Sequence, residues 1–156
     1  MQNVTELVKE LQDMRDHGYL SDALLRHAVK AIAGADDRFD WVGSFLVREK
    51  GETLWLHDYV GSPAEYAEIP VGEGVWGAAV AAKEDRIIVE AGAVEDQPPC
   101  HPDVRSQLIV LIRAGGDIFG GIEVASEQPA AFREADEEAV RSVADKLAEQ
   151  IAAERR

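Results

Sequence analysis

An unbroken apolar run in the second half of the chain, Leu108 to Ile112, constrains the fold more than any other feature. A strand with one face in water alternates apolar and polar residues, whereas this run does not alternate. We therefore predict a β-strand over 106–113 that is covered on both faces. A glycine-rich turn at 115–117 leads into a second predicted strand over 118–126, so the two strands form a hairpin.

Similar patterns predict the other elements. Apolar residues recur at helical spacing in three segments, and short apolar runs bounded by turn residues predict strands. This order of elements favours an α+β fold with a central antiparallel sheet and helices on one face. We expect one domain over 1–156, with helices within 1–18, 21–34 and 133–155 and strands over 41–47, 53–59, 86–90, 106–113 and 118–126.

The predicted C-terminal helix carries an apolar stripe that must pack on a partner surface. One partner is the domain's own sheet. The other is a second copy of the chain, which the N-terminal and C-terminal helices would contact to form a homodimer. Both alternatives stay open for the stripe, which consists of Val140, Val143, Ala144, Leu147 and Ile151.

The composition narrows the range of partners. Thirty acidic residues against sixteen basic ones give a formal net charge of −14, so the surface repels phosphate backbones and we expect no nucleic-acid partner. No stretch approaches the ~20 continuous apolar residues of a membrane span. The N-terminus lacks the basic start and apolar run of a signal peptide, so we expect a cytoplasmic protein without membrane contact.

Residues 60–105 differ in character from the rest of the chain. They contain a glycine cluster at 72–77 and a proline-flanked segment, PPCHP, at 98–102. We expect an irregular segment here, and one this long inside a compact domain is usually functional, as a lid or a binding loop. Just before it, Trp55, His57 and Tyr59 alternate along a predicted strand and should share one face, either as core packing or as a pocket wall.

Four features resemble the free methionine-(R)-sulfoxide reductases, enzymes built on a GAF domain. Residues 69–80, IPVGEGVWGAAV, are similar to the family's I-P-x-G-x-G-V-C-G-x-A motif. The segment WVGSF at 41–45 resembles its W-x-G-F-Y strand, and GGIEVAS at 120–126 resembles its G-V-L-D-I-D-S strand. Cys100 precedes Ser106 by six residues, as the family's catalytic cysteine precedes the serine of its S-E-I-V strand.

The resemblance implies a GAF fold, with helices on one face of the sheet and a pocket under long loops on the other. It also implies a chemistry in which a cysteine thiolate attacks the sulfoxide sulfur and is left as a sulfenic acid. A resolving cysteine then forms a disulfide that an external thiol reduces. Acidic residues in the pocket hold the amino group of the free amino acid and deliver the proton that the departing oxygen needs.

The cysteines depart from the family pattern. Cys100, the nucleophile that the resemblance implies, is the only cysteine in the chain. Trp76 stands at the resolving position, where it would either fill the mouth of the pocket or stack on a ligand. A cation near the sulfur would favour the thiolate, and His101 and Arg105 are the nearest in sequence. Cys100, His101 and Asp103 lack a second ligand pair at conventional metal spacing, so we expect neither a metal nor a cofactor.

The pocket carboxylates depart from the pattern as well. Glu123 is retained, Gln107 replaces a glutamate, and Ala125 replaces an aspartate. The resemblance therefore implies a pocket lined by Trp41, Trp76, Gln107, Glu123 and Ala125. In an active enzyme, Cys100 as nucleophile and Glu123 would be its catalytic residues.

These departures support three hypotheses about function. The first is a small-molecule-binding GAF protein, a diverged relative of the reductases whose activity is lost or reduced, with free methionine sulfoxide or a related molecule as ligand. The second is an active one-cysteine reductase that uses Cys100 and an external thiol reductant. The third is a regulatory GAF module that acts as a homodimer.

Overall fold

The structure is a computed structural model that describes residues 1, 3–48, 50–91 and 103–155. Within this part of the chain, no helix is long and apolar enough to cross a membrane. The helices are α1 (Val4–Asp16), α2 (Ser21–Ala33), α3 (Gly74–Ala82) and α4 (Glu134–Glu154), and the strands are β1 (Trp41–Val47), β2 (Thr53–Val60), β3 (Glu68–Pro70), β4 (Arg86–Ile88), β5 (Ser106–Ala114) and β6 (Asp117–Ser126).

The six strands form one antiparallel sheet in the order β3-β2-β1-β6-β5-β4. Strand β5 lies between β6 and β4, and its residues 106–112 are all buried. Apolar residues occupy successive positions of β5 because both of its faces are covered. The predictions of an α+β fold and of a strand buried on both faces are confirmed.

Three helices cover one face of the sheet, which we call the helix side. Helices α2 and α4 pack on the strands, and α1 packs on both of these helices. The apolar stripe of α4 is buried in the same core as Leu108 and Val110 of β5. The stripe therefore packs on the domain's own sheet, while the homodimer stays a prediction.

Helix α3 covers the opposite face, which we call the loop side. The prediction of an irregular segment over 60–105 is wrong where β3 and α3 form, whereas β4 lies within the strand predicted over 86–90. Every residue of α3 is glycine, alanine, valine or tryptophan, so the helix lacks the amphipathic period by which a surface helix is identified. Strand β3 has only three residues and gives a correspondingly weak pattern.

A β-bulge in β2 changes the side chains that reach each face. Ser44 of β1 pairs with Asp58, and the next residue, Phe45, pairs with Leu56. His57 is therefore an extra residue in the ladder. Strict alternation of faces breaks at this position.

The bulge separates side chains that the sequence pattern groups together. His57 faces the helix side, where its Nε2 lies 2.7 Å from Oδ1 of Asp22 in α2, and the ring of Trp55 packs edge-on against it. Tyr59 instead stacks on Trp41 of the loop side, with ring centroids 5.6 Å apart. The prediction that Trp55, His57 and Tyr59 share one face is wrong for Tyr59.

An arginine-centred network fixes the start of α4. Arg38 donates hydrogen bonds to both carboxylate oxygens of Asp136, at 2.9 and 3.2 Å, and to Oδ2 of Asp36 at 2.8 Å. Asp136 also accepts a hydrogen bond from the backbone N–H of Arg133 at 3.0 Å. Burial alone would raise the pKa of Asp136, but these hydrogen bonds hold it below its usual range. The Arg38 guanidinium lowers the pKa of Asp36 to about 2.

Candidate ligand-binding site

Strand register brings four of the predicted site residues together on the loop side. Ala125 of β6 pairs with Trp41 of β1 on one side and with Gln107 of β5 on the other. Glu123 precedes Ala125 by two residues and so lies on the same face. Ala125 thus lies directly between Trp41 and Gln107, and Glu123 is diagonal to both of them on the same face of three adjacent strands.

Two glycines let large rings lie close to this part of the sheet. A Cβ atom at Gly43 would lie 2.3 Å from Cη2 of Trp41, and one at Gly121 would lie 2.6 Å from Cζ of Phe45. Neither distance is compatible with a side chain, so the rings of Trp41 and Phe45 occupy the space that these glycines leave. The rings form an apolar floor beside Glu123.

The indole of Trp76, which projects from α3, is fully buried over this floor. It stacks on Phe45 with ring centroids 4.8 Å apart and planes 12° apart, and it lies 6.5 Å from Trp41. The ring of Tyr66 packs edge-on against it at 5.3 Å. We call Trp41, Phe45 and Tyr66 the aromatic cage, and within it Trp76 fills the predicted site.

Glu123 is a fully buried carboxylate in the middle of the sheet. Its Oε1 accepts a hydrogen bond from the indole N–H of Trp76 at 2.5 Å. Because a buried polar group without a hydrogen-bond partner is unfavourable, this contact stabilises the buried Glu123 side chain and also holds α3 against the sheet.

Gln107 is fully buried on the same face. Its side-chain nitrogen and oxygen make no hydrogen bond in the structure, and they are the only buried side-chain polar atoms of the described residues in that state. Leaving a buried donor or acceptor unpaired costs about 1–3 kcal/mol for each group, and native proteins rarely tolerate it. Because this unpaired amide lies on the same face of the sheet as the buried Glu123, we take this part of the sheet as the candidate site.

The glycine cluster of the predicted binding loop positions α3. Gly72 and Gly74 have φ angles of 96° and 64°, which favour glycine. A Cβ atom at Gly77 would lie 2.5 Å from the carbonyl oxygen of Pro70, so the helix approaches the preceding backbone directly. This close approach places Trp76 over Glu123.

Two of the predicted residues, Cys100 and His101, lie outside the described residues. The site described above therefore consists of the other predicted residues, and the prediction that Cys100 faces it stays a prediction. Arg105, the other cation near Cys100 in sequence, forms an exposed ion pair with Glu90 at 3.3 Å. The activation of Cys100 by a neighbouring cation stays a prediction.

The sequence analysis did not identify Phe45 and Tyr66 as part of the site. The spacing of Trp41, Gly43 and Phe45 contains the signal for the first of them, because residues two apart in a strand share a face. Tyr66 lies between β2 and β3 and follows no periodic pattern. Only the tertiary structure brings its ring against Trp76.

Other features of the described residues do not compete with this site. None of the groups of His, Cys, Asp and Glu side chains in this part of the chain is placed to hold a metal ion. Two open grooves of about 560 and 700 Å³ lie at the turns of the β1–β2 and β5–β6 hairpins. Their linings include none of the cage residues, nor Trp76, Gln107 or Glu123.

Comparison with known proteins connects this geometry to a family and to individual relatives. A family model described as a GAF domain matches residues 2–152. Protein YtsP of Bacillus subtilis (strain 168) is 28% identical over 132 residues, which are 85% of this chain and 76% of the relative. The free methionine-R-sulfoxide reductase of Escherichia coli (strain K12) is 26% identical over 113 residues, which are 72% of this chain and 67% of that enzyme.

A solved structure shows the same fold over nearly the whole chain. It is the X-ray structure of free methionine-R-sulfoxide reductase from Neisseria meningitidis in complex with its substrate. The match has a TM-score of 0.87 at 26% identity and covers 97% of this chain and 90% of that one. The chain is thus similar at comparable identity to protein YtsP and to a free methionine-R-sulfoxide reductase with its substrate bound.

Proposed function

Because this chain belongs to the GAF domain family, we propose that its loop-side site binds a small organic molecule and that reductase activity is lost or reduced. The related reductases act on a free amino acid, which supports a ligand of that size. Free methionine sulfoxide or a chemically related molecule is the first ligand to test.

Gln107 carries the binding half of the proposal. Its amide is fully buried without a hydrogen-bond partner in the described part of the chain, and it lies on the same face as the buried Glu123, diagonal to it across the β5–β6 pair. An apolar site with a few convergent polar groups is the usual form of a small-molecule site. A ligand that pairs with this amide would remove the cost of the unpaired donor and acceptor.

Substitutions around the site support the loss of reductase activity. Trp76 replaces the cysteine expected at the resolving position, and Cys100 is the only thiol of the chain. The intramolecular disulfide of the reductase cycle cannot form with one cysteine. Gln107 and Ala125 also replace two expected carboxylates, which weakens the site's attraction for an ammonium group.

Thermal unfolding with and without methionine sulfoxide tests the binding half. We expect free L-methionine (R)-sulfoxide, or L-methionine as the related probe, to raise the melting temperature of the wild type at millimolar concentration. Gln107→Leu should abolish this shift because it removes the amide. The control Gln128→Leu makes the same chemical change at an exposed position and should preserve it. Equal shifts in both variants would contradict a role for Gln107 in binding.

The alternative function is an active one-cysteine reductase, which the similarity to two reductases favours. In this cycle the thiolate of Cys100 attacks the sulfoxide sulfur, methionine leaves, and the sulfenic acid is reduced by two equivalents of an external thiol. Turnover of free methionine-(R)-sulfoxide with dithiothreitol or thioredoxin measures it. We expect the wild type to match Cys100→Ser, and thiol-dependent turnover that Cys100→Ser abolishes would establish the alternative instead.

A further inference from the structure

We propose that Trp76 is a displaceable plug, and that the ligand which displaces it presents an N–H or ammonium donor to Glu123 and a polar acceptor-and-donor group to Gln107. This inference rests on the proposed function, since it concerns the same loop-side site. It adds the chemistry of the ligand and a closed state in which the chain's own side chain occupies the site.

The first support is that the indole of Trp76 is bound as a small guest would be. Its ring stacks on Phe45 at 4.8 Å, its edge meets Tyr66 at 5.3 Å, and no part of it reaches solvent. Its one polar atom donates to Glu123 at 2.5 Å. The cage thus accepts a flat apolar body with one N–H donor.

The second support is that the plug forms a hydrogen bond with only one of the two buried polar residues of the site, Glu123 and Gln107. Indole has one N–H donor and no acceptor, so Trp76 can pair with Glu123 but offers nothing to the carboxamide of Gln107. That amide is buried without a hydrogen-bond partner among the described residues. A ligand carrying a carboxylate, carboxamide or sulfoxide as well as an N–H donor would satisfy both residues, and this difference gives it an advantage over Trp76.

The third support is the position of the plug at the edge of the fold. Trp76 belongs to α3, which follows the three-residue edge strand β3. Strand β3 pairs only with residues 53–55 of β2, and α3 is held by side-chain packing on β2, β5 and β6 and not by strand hydrogen bonds. Short edge elements open locally more readily than the centre of a sheet, so Trp76 can leave the cage without global unfolding.

Hydrogen exchange of the three indole N–H groups tests plug opening in the unaltered protein. Trp55→Phe and Trp76→Phe assign the signals of a ¹⁵N-labelled sample. We expect the Trp76 indole N–H, although fully buried, to exchange at least tenfold faster than the backbone amides of Val110 and Val124 in the central strands. Exchange at the same slow rate as these amides would show that Trp76 leaves only on global unfolding and would overturn the plug.

Indole and N-methylindole test the ligand chemistry, because they differ only in the N–H group. Trp76→Ala creates a cavity of the right shape, and we expect it to bind indole at least tenfold more tightly than N-methylindole. The wild type should bind indole at least tenfold more weakly than Trp76→Ala, because the plug competes. Trp55→Ala, which removes the same ring from the helix side of β2, is the control and should gain no binding.

The outcomes separate this inference from the proposed function. Equal indole affinity of the wild type and Trp76→Ala overturns the plug and leaves a ligand site standing. Equal affinity for the two probes overturns the donor requirement at Glu123. A folded Trp76→Ala domain that binds neither probe contradicts the site itself, and with it the proposed function. Circular dichroism establishes folding, and Trp76→Leu replaces Trp76→Ala in the same measurements if the alanine variant does not fold.

Discussion

Gly43 and Gly121 determine how closely Trp41 and Phe45 approach the sheet, and so determine the depth of the site. Neither glycine needs a left-handed backbone. Each is required because a ring lies where a Cβ atom would be. The shape of the site therefore depends on the absence of side chains at Gly43 and Gly121 as much as on its polar residues.

Replacing Gly43 with alanine should destabilise the domain by about 1–3 kcal/mol, since the new methyl group forces the Trp41 ring from its place. Urea unfolding of the purified variant measures the loss. Gly116→Ala is the matched control, because no atom lies within 4 Å of the position its Cβ would take. Equal stability of Gly43→Ala and Gly116→Ala would contradict the close packing of the Trp41 ring against Gly43.

The sequence was enough to predict which residues line the site. It was not enough to predict which side chain fills the site or which polar group has no hydrogen-bond partner. The resemblance placed Trp41, Gln107, Glu123 and Ala125 in one site, and the strand register makes them neighbours. The two alternatives for Trp76 stayed open, because whether a ring fills a site or lines it depends on tertiary contacts. The unpaired amide of Gln107 is likewise a property of the surrounding atoms, not of the residue type.

At the scale of elements, predictability followed the strength of the hydrophobic period. The helices α1, α2 and α4 are amphipathic, and β5 is a long apolar run, so all four were predicted within a few residues. Helix α3 was missed because it is apolar on every side. The bulge at His57 was missed because one extra residue leaves the composition of a strand unchanged while reversing the faces beyond it.

Asp136 stabilises the start of α4, and its replacement tests how that element is held. Asp136→Ala should cost roughly 2–3 kcal/mol, because it removes the hydrogen bonds from Arg38 and from the backbone of Arg133. The control Glu134→Ala lies in the same helical turn with an exposed side chain and should change stability by less than about 0.5 kcal/mol. Chemical denaturation measures the free energy of unfolding of both variants. An equal decrease in both would contradict a stabilising role for the hydrogen bonds between Arg38 and Asp136.

For the whole molecule, the sequence predicted the α+β fold and the position of α1, α2 and α4 on one side of the sheet, but not the position of α3 on the other side. It did not determine how many copies assemble. The stripe of α4 that could have served a homodimer is buried within the chain, so a dimer would need other surfaces of the helices. Hydrophobic periodicity identifies which residues are buried and leaves open whether the covering surface belongs to the same chain.

Carboxyl groups with lowered pKa values give the final prediction, which concerns the stability of the whole molecule in acid. The pKa of Asp36 is lowered to about 2 by Arg38, and the pKa values of Asp136 and Asp22 are lowered as well. A carboxyl group with a lower pKa in the folded state than in the unfolded state stabilises the fold above the unfolded value, and this contribution is lost on protonation. The free energy of unfolding should therefore decrease as the pH falls from about 4 towards 2.

Urea unfolding across this pH range measures the decrease. This range lies below the isoelectric point of about 4.6, so protonation of the remaining carboxylates also increases the net positive charge, and the resulting self-repulsion adds to the loss. Asp36→Asn separates the two effects: it removes one titrating group with a lowered pKa and leaves the other acidic residues in place. We expect the variant to show a shallower dependence on pH below 4. An unchanged slope would mean that the hydrogen bonds of Arg38 to Asp36 do not govern acid stability.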